Sequence, residues 1–168
     1  MEPSFDELLA SAKQSALHLE MRDGYMRDDP AFIAWQAGAR IDPVDYWPAW
    51  RRILGPAITR GVEVRRLRIV SEPVSDYIRF EYDITEGLNL AAGEQVRWLP
   101  RRRASDLAFP GNDFWVFDDT AVQWIHFNGD GVVVAREVSE DPASVELCVS
   151  SFAAAWERAT DHAEYRPA

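Results

Sequence analysis

The chain has 168 residues, 47% hydrophobic, 27% charged and 12% aromatic, the proportions of one globular domain with its own core rather than of a disordered chain. Its net charge of -10, from 18 basic and 28 acidic residues, argues against direct nucleic-acid binding, which calls for a basic surface. A single cysteine, Cys148, excludes an internal disulfide and a cysteine-rich zinc cluster; with no basic-then-apolar leader and no apolar run of membrane-spanning length, a cytoplasmic protein is expected.

"FDELLASAK" spaces Phe5, Leu8, Leu9 and Ala12 along one face of a short helix. "SALHLEMRD" then alternates, setting Leu17, Leu19 and Met21 against His18, Glu20 and Arg22, the period of a strand with one polar face. In "DDPAFIAWQAG", Asp29 is placed to cap a helix, Pro30 suits its first position and Gly38 stops it. From about Asp42 to Arg60 the spacing of Trp47, Trp50, Ile53, Leu54 and Ala57 predicts a longer helix, kinked or divided by Pro48 and Pro56.

Gly61 ends that helix, and the β-branched run "VEVRRLRIV" predicts a central strand. "SEP" reads as the start of the next helix, with Ser71 as cap and Pro73 in the first turn, continuing through Tyr77, Ile78, Glu81 and Ile84 toward Gly87. After Gly93, "EQVRWLP" predicts a short strand closed by Pro100. Three strands follow the loop "RRRASDLAFPGN", near 113–118, 121–127 and 132–137, and "NGDG" is a hairpin turn between the last two. Asp141-Pro142 opens a final helix with Val145, Cys148, Phe152, Ala155, Trp156 and Ala159 on one stripe; residues from about 161 to 168 are expected as a surface tail. This order predicts an α/β fold, a single domain over 1–168 whose single mixed β-sheet is flanked by helices.

The stretches "HLEMRDGY", "RGVEVRRLRIVSEPVSDYIRFEYD", "GEQVRWLPRRRASDLAFPGNDFWVFDD" and "WERATDHAEYRP" resemble the actinobacterial domain of unknown function 6879. That family name carries no activity. Its members are commonly encoded beside helix-turn-helix regulators, so the resemblance implies such a regulator protein as partner. A second resemblance is to the phospholipase D-like domain. "GVEVR", "FWVFDD" and "DPASVELCVSSFAAAWERA" stand in the order of that superfamily's G-(I/V)-x-V-R strand, the end of its His-x-Lys-(four residues)-Asp motif, and its closing helix.

The resemblance implies a phospholipase D-like fold and also shows what is lacking. The enzymes' histidine is the nucleophile and their lysine neutralises the phosphate. Those positions fall on Gly111 and Asp113 here, and only Asp118 matches. No catalytic residue is assigned. The expected function is a non-catalytic ligand- or partner-binding module in bacterial regulation, working with the helix-turn-helix regulator. Two alternatives stand beside it: a degenerate phosphodiesterase-type hydrolase drawing on His126, and one member of a toxin–antitoxin-like pair.

The richest polar grouping is Arg65, Arg66 and Arg68 on one strand, with Arg66 and Arg68 sharing a face, then Ser71 and Glu72 at its end and Arg79 on the next helix. Strand ends beside helix N-termini take ligands in α/β sheets, and paired guanidinium groups grip a carboxylate or phosphate, so a small anionic ligand is one reading. The other is a structural ion network with Glu20, Glu81 and Asp118. In both, Glu20 and Arg22 join from the first strand, Asp118 lies within reach of Arg66 or Arg68, Glu72 caps the cluster, and Asp113 and His126 complete the candidates. Arg101 to Arg103 form a basic run read as a solvated loop. His18, His126 and His162 lack ligand spacing, so neither metal nor cofactor is expected. Trp35, Trp47 and Trp50 fit core packing or an exposed binding patch, and a homodimer is compatible with the latter.

Overall fold

A computed structural model describes residues 2–168. Its strands are β1 (Ser15–Glu20), β2 (Glu63–Val70), β3 (Gln95–Pro100), β4 (Asp113–Phe117), β5 (Ala121–Phe127), β6 (Val133–Ser139) and the short β7 (Thr160–Asp161). Its helices are α1 (Phe5–Ser11), α2 (Pro30–Gln36), α3 (Pro43–Tyr46), α4 (Trp50–Thr59), α5 (Asp76–Leu88) and α6 (Pro142–Arg158). The strands make one mixed sheet in the order β6-β5-β4-β1-β2-β3-β7. β1, β2 and β3 run parallel, and β4 returns antiparallel to β1 and opens the β4-β5-β6 meander.

Local chemistry accounts for most of these elements. Asp29 and Asp141 accept from backbone amides at the starts of α2 and α6, each followed by proline. Ser4 and Glu7 form a reciprocal capping box at α1. The helix expected over 42–60 is divided into α3 and α4, with Pro48 between them. Pro56 stands inside α4 without ending it. At the turn from β4 to β5, Asp118 and Asp119 both have positive φ, 51° and 55°. With Thr120 N–H donating to Phe117 O, this is the turn that matches strand twist in a short hairpin.

Two expectations need correction. Ser71 does not cap the helix after β2. Ser75 does, accepting from Ile78 N–H, because Ser71 is held by the Asp23 carboxylate through both its amide and its hydroxyl. Residues 161–168 are not a loose surface tail either. β7 pairs with β3, Tyr165 is buried and stacks on Trp98 with centroids 5.4 Å apart, and its hydroxyl donates to Glu72. An aromatic ring with a satisfied hydroxyl gains more from that slot than from water.

Helices cover both faces. On one, α6 sets Val145, Cys148, Phe152 and Ala155 against Leu19, Leu67, Ile69, Leu99, Phe114, Val116 and Val122. On the other, α1 and α4 pack Leu8, Leu9, Leu54 and Ala57 over Ala16, Val64, Trp115 and Phe117 at one end of the strands. Above the other end of that face lie α2 and α5, which share Ala31, Phe32, Tyr77, Phe80 and Ile84. Among the described residues no helix is long and apolar enough to cross a membrane.

Candidate functional site

The second face changes character along the strands. Parallel pairing sets His18 beside Arg66 and Glu20 beside Arg68, all on the same side as the apolar Ala16 and Val64. β4 runs the opposite way, with Phe114 opposite Leu19, so Asp113 arrives at the Glu20 end. Five polar side chains, His18, Glu20, Arg66, Arg68 and Asp113, therefore converge toward the C-terminal ends of β1 and β2, under α5.

Their contacts are close and mostly ionic. Glu20 receives Arg66 Nη1 on Oε1 and Arg68 Nε on Oε2, each at 2.6 Å. Arg66 also donates from Nε to Glu94 at 2.8 Å, and Arg68 Nη1 reaches Thr85 Oγ1 at 2.6 Å. Glu94 collects Trp50 Nε1 at 2.6 Å and Asn89 Nδ2 at 2.8 Å as well. His18 lies flat on Trp115, 4.3 Å between centroids, with Nδ1 2.7 Å from Phe114 O and Nε2 3.2 Å from Glu20. Arg66 is held over the Trp50 and Trp115 rings and Arg68 over Trp98.

Burial without full pairing separates the acids. Burial alone pushes Glu20 up, but Arg68, Arg66 and His18 outweigh it and hold the carboxyl well below the usual carboxylate range. Glu94 is likewise lowered, burial being overcome by Arg66 and by hydrogen bonds from Asn89 and Trp50. Glu81 behaves oppositely. It meets Arg68 only at 3.7 Å, and burial, with Glu20 adding to it against Arg68, pushes its carboxyl up to about 8. Burial also raises Asp113, against the Tyr25 hydroxyl that donates to it at 2.5 Å and the Met21 amide at 2.9 Å.

Above this floor opens a cleft of about 530 Å³. Its floor includes His18, Glu20, Arg66, Arg68, Glu81 and Asp113, and its walls carry Trp47, Trp50, Tyr77, Phe80 and Phe127. Met26 and Tyr46 stand exposed at its rim. Trp47 and Trp50 thus serve the cleft wall, while Trp35 packs beside Phe80 and donates to Asp83.

Of the charged residues singled out from the sequence, Glu20, Arg66, Arg68, Glu81 and Asp113 meet in this floor; Asp118, Glu72, Arg79, His126 and Arg22 do not. Asp118 is at the far end of β4, where its carboxylate accepts from the Lys13, Gln14 and Ser15 amides. Five residues of extended strand, about 17 Å, separate it from Asp113. Glu72 turns to Tyr165 and Arg102 rather than capping the cluster. Arg79 is exposed, its position on α5 directing it away from the sheet. His126 is on the opposite face of β5 from the cleft-lining Ile125 and Phe127 and pairs with Glu137 at 3.4 Å. Arg22 stays near the rim, over the Phe127 ring and bonded to Gly24 O. The basic run is exposed as expected, and Arg101 is in addition anchored: it donates to Ser71 and to the carbonyls of Met21 and Ile69.

The sequence reading missed His18, Glu94 and Asn89. His18 shared the polar face of β1 with Glu20, a signal that was present. Asn89 lies in the turn between α5 and β3, where no periodicity marks it, and Glu94, read as the first residue of the strand "EQVRWLP", directly precedes β3.

The model of the family described as domain of unknown function (DUF6879) matches residues 3–167. No curated protein matches the chain. Among solved structures, the chain is similar to a phospholipase D family member, Nuc from Salmonella typhimurium, at 17% identity and a TM-score of 0.50, over 96% of this chain and 88% of that one. At that identity the likeness establishes the fold, phospholipase D-like, and no more.

Proposed function

The chain belongs to the DUF6879 family, whose name assigns no activity, and we propose on the strength of its site that it is a non-catalytic module binding a small ligand in the cleft. The observation that carries this reading is the cleft itself: about 530 Å³, aromatic walls, and a floor of charged groups already fixed by one another. Small-molecule sites share that composition and a volume of roughly 300–1,000 Å³. The floor sits at strand ends, where open α/β sheets take ligands.

The hydrolase alternative has less support. Gly111 is exposed and Asp113 is buried on Tyr25 and Met21, at the positions where the phospholipase D resemblance calls for histidine and lysine. Hydrolysis of bis-p-nitrophenyl phosphate is expected at the blank rate, and turnover abolished by His126→Ala would reinstate that alternative. In the proposed role, the partner is the helix-turn-helix regulator that the family resemblance implies, reading whether the cleft is filled.

Thermal unfolding against a panel of bacterial metabolites tests the reading. At least one compound is expected to raise the melting temperature of the wild type and leave Ala49→Trp, in which the new ring fills the cleft, unmoved. Stabilisation that persists in Ala49→Trp would place the ligand elsewhere and end the proposal.

A further inference from the structure

Among the described residues, two buried side-chain atoms of the cleft lining lack a hydrogen-bond partner, Glu81 Oε2 and Asn89 Oδ1, and both are oxygens. Most donors around them are committed, Arg68 Nη2, Trp47 Nε1 and the Tyr77 hydroxyl being the ones without a hydrogen bond among the described residues. Arg66 and Arg68 donate to Glu20, Glu94 and Thr85, Trp50 Nε1 and Asn89 Nδ2 to Glu94, and the Tyr25 hydroxyl to Asp113. Among the cleft-lining residues described, no buried donor atom lacks a partner, so a ligand bearing acceptors relieves none. A ligand bearing N–H groups meets acceptors that have none.

Charge points the same way. Two arginines face four carboxylates, Glu20, Glu81, Glu94 and Asp113. The arginines are matched by Glu20 and Glu94, which leaves Glu81, 7% exposed and beyond hydrogen-bond distance of Arg68, and Asp113, served by uncharged donors. The walls are lined by Trp47, Trp50, Tyr77 and Phe80, aromatic rings of the kind that attract cations.

We infer that the cleft takes a small organic cation, an amidinium, guanidinium or amine head on a compact apolar body, with Glu81 and Asn89 accepting its N–H groups. This rests on the cleft-binding reading and narrows it. A buried cation is tolerated only beside an opposite charge, and Glu81 supplies that charge when it ionises. The groups facing Glu81 are Arg66 and Arg68 of β2, Glu20 of β1, Asp113 of β4, Tyr25 between β1 and α2, and Tyr77 one turn earlier on α5. Since burial holds the Glu81 carboxyl up at about 8, cation binding near neutral pH displaces a proton, and affinity for the cation rises between pH 6 and 8.

Benzamidinium, benzamide and benzoate, nearly identical in shape and differing in charge, are the probes, titrated by calorimetry into the full chain. Benzamidinium is expected to bind about ten-fold tighter than benzamide, the contribution of one hydrogen bond to a charged group, with no measurable heat from benzoate. Ala49→Trp should abolish binding, and Glu81→Gln should remove the preference for benzamidinium over benzamide. Benzoate binding best, or all three binding equally with loss in Ala49→Trp, overturns the cation inference and leaves the cleft reading intact. Heat from none of the probes also overturns the inference, while the metabolite panel judges the cleft reading separately. Should Glu81→Gln not fold, the wild type suffices: benzamidinium affinity independent of pH between 6 and 8 rejects the role of Glu81.

Discussion

Successive residues of β2 enter two different interiors. Leu67 and Ile69, 0% and 1% exposed, go into the apolar layer beneath α6, whereas Arg66 and Arg68, 8% and 4% exposed, go into the ionic floor beneath α5. Burial is nearly equal, so burial does not distinguish the faces. The energetics do. An apolar layer gains from area removed from water and is indifferent to which neighbour supplies it. An ionic floor gains only if each charge finds its specific partner, because desolvation of an unmatched charge exceeds any packing gain. The first face can therefore lose a methylene locally, while the second transmits the loss of one residue to all of its partners.

Removing one member of each face should make that contrast measurable, and the largest effect is expected for Arg66→Ala. It leaves Glu20 and Glu94 buried without their shared cation, a loss of about 3–5 kcal/mol, against roughly 2–5 kcal/mol for Leu67→Ala. The diagnostic is coupling rather than size. In denaturant titrations Glu94→Gln should recover part of the Arg66→Ala loss, and should simply add to that of Leu67→Ala. Additivity in both backgrounds would mean that the ionic floor behaves like the apolar layer. The sign with pH follows from Glu20 and Glu94, both lowered from 4.5: their contribution is full above that value and is lost as pH falls through their folded-state values.

Glu81 reverses that sign within the same floor. Its carboxyl is raised from 4.5 to about 8, so between those values the folded chain holds a proton that the unfolded chain has released. Stability from this group is full below the lower value and falls as pH rises toward the upper one. Glu81→Gln should therefore gain melting temperature over the wild type progressively from pH 5 to 8, with little difference at pH 5. A constant difference across that range would show Glu81 to be ionised and paired in the empty cleft.

The contrast between the faces also explains what the sequence made legible. Alternation in "HLE" and "VRRLRIV", the Pro-led helix starts, and "NGDG" gave the strands, their order of types and the α/β fold, because period and turn chemistry are local. Arg66, Arg68 and Glu20 were legible as one cluster through that same alternation. Their partners were not. Asn89 comes from an unpatterned turn, Glu94 leads into a strand whose pairing with β2 no local pattern states, and nothing local in β4 says whether Asp113 or Asp118 lies at the Arg68 end; the antiparallel return of the strand decides it. Tyr165 was lost for the same reason, since its stacking on Trp98 joins residues 67 positions apart.

On the apolar face a smaller effect isolates the cost of a polar atom alone. Cys148 is fully buried on the inner face of α6, and burial pushes its thiol up to about 12. Its reaction with a disulfide reagent should follow unfolding of the domain rather than local opening. Cys148→Ser, which places a hydroxyl in that apolar layer, should cost about 2 kcal/mol. Rapid labelling under native conditions would show that α6 opens independently, and the apolar face would then be the looser of the two.

The smallest effect belongs to Asp118, an acid like those of the ionic floor but without their burial. Burial raises it, but the Ser15, Gln14 and Lys13 amides and the Lys13 charge together outweigh that and lower it from 3.8. No arginine contributes, and water reaches the group, so screening reduces its worth. Asn tolerates the positive φ of 51° found there, so Asp118→Asn tests the carboxylate and not the turn. It should cost about 1 kcal/mol above pH 5. That cost should shrink as pH falls through the lowered value, where the wild type loses the same charge. Because Asp118 lies at the other end of β4 from Asp113, the variant should also bind every cleft ligand as the wild type does. A loss near 3 kcal/mol, or any change in ligand affinity, would mean that Asp118 acts on the ionic floor after all, and that the two ends of this face are energetically joined.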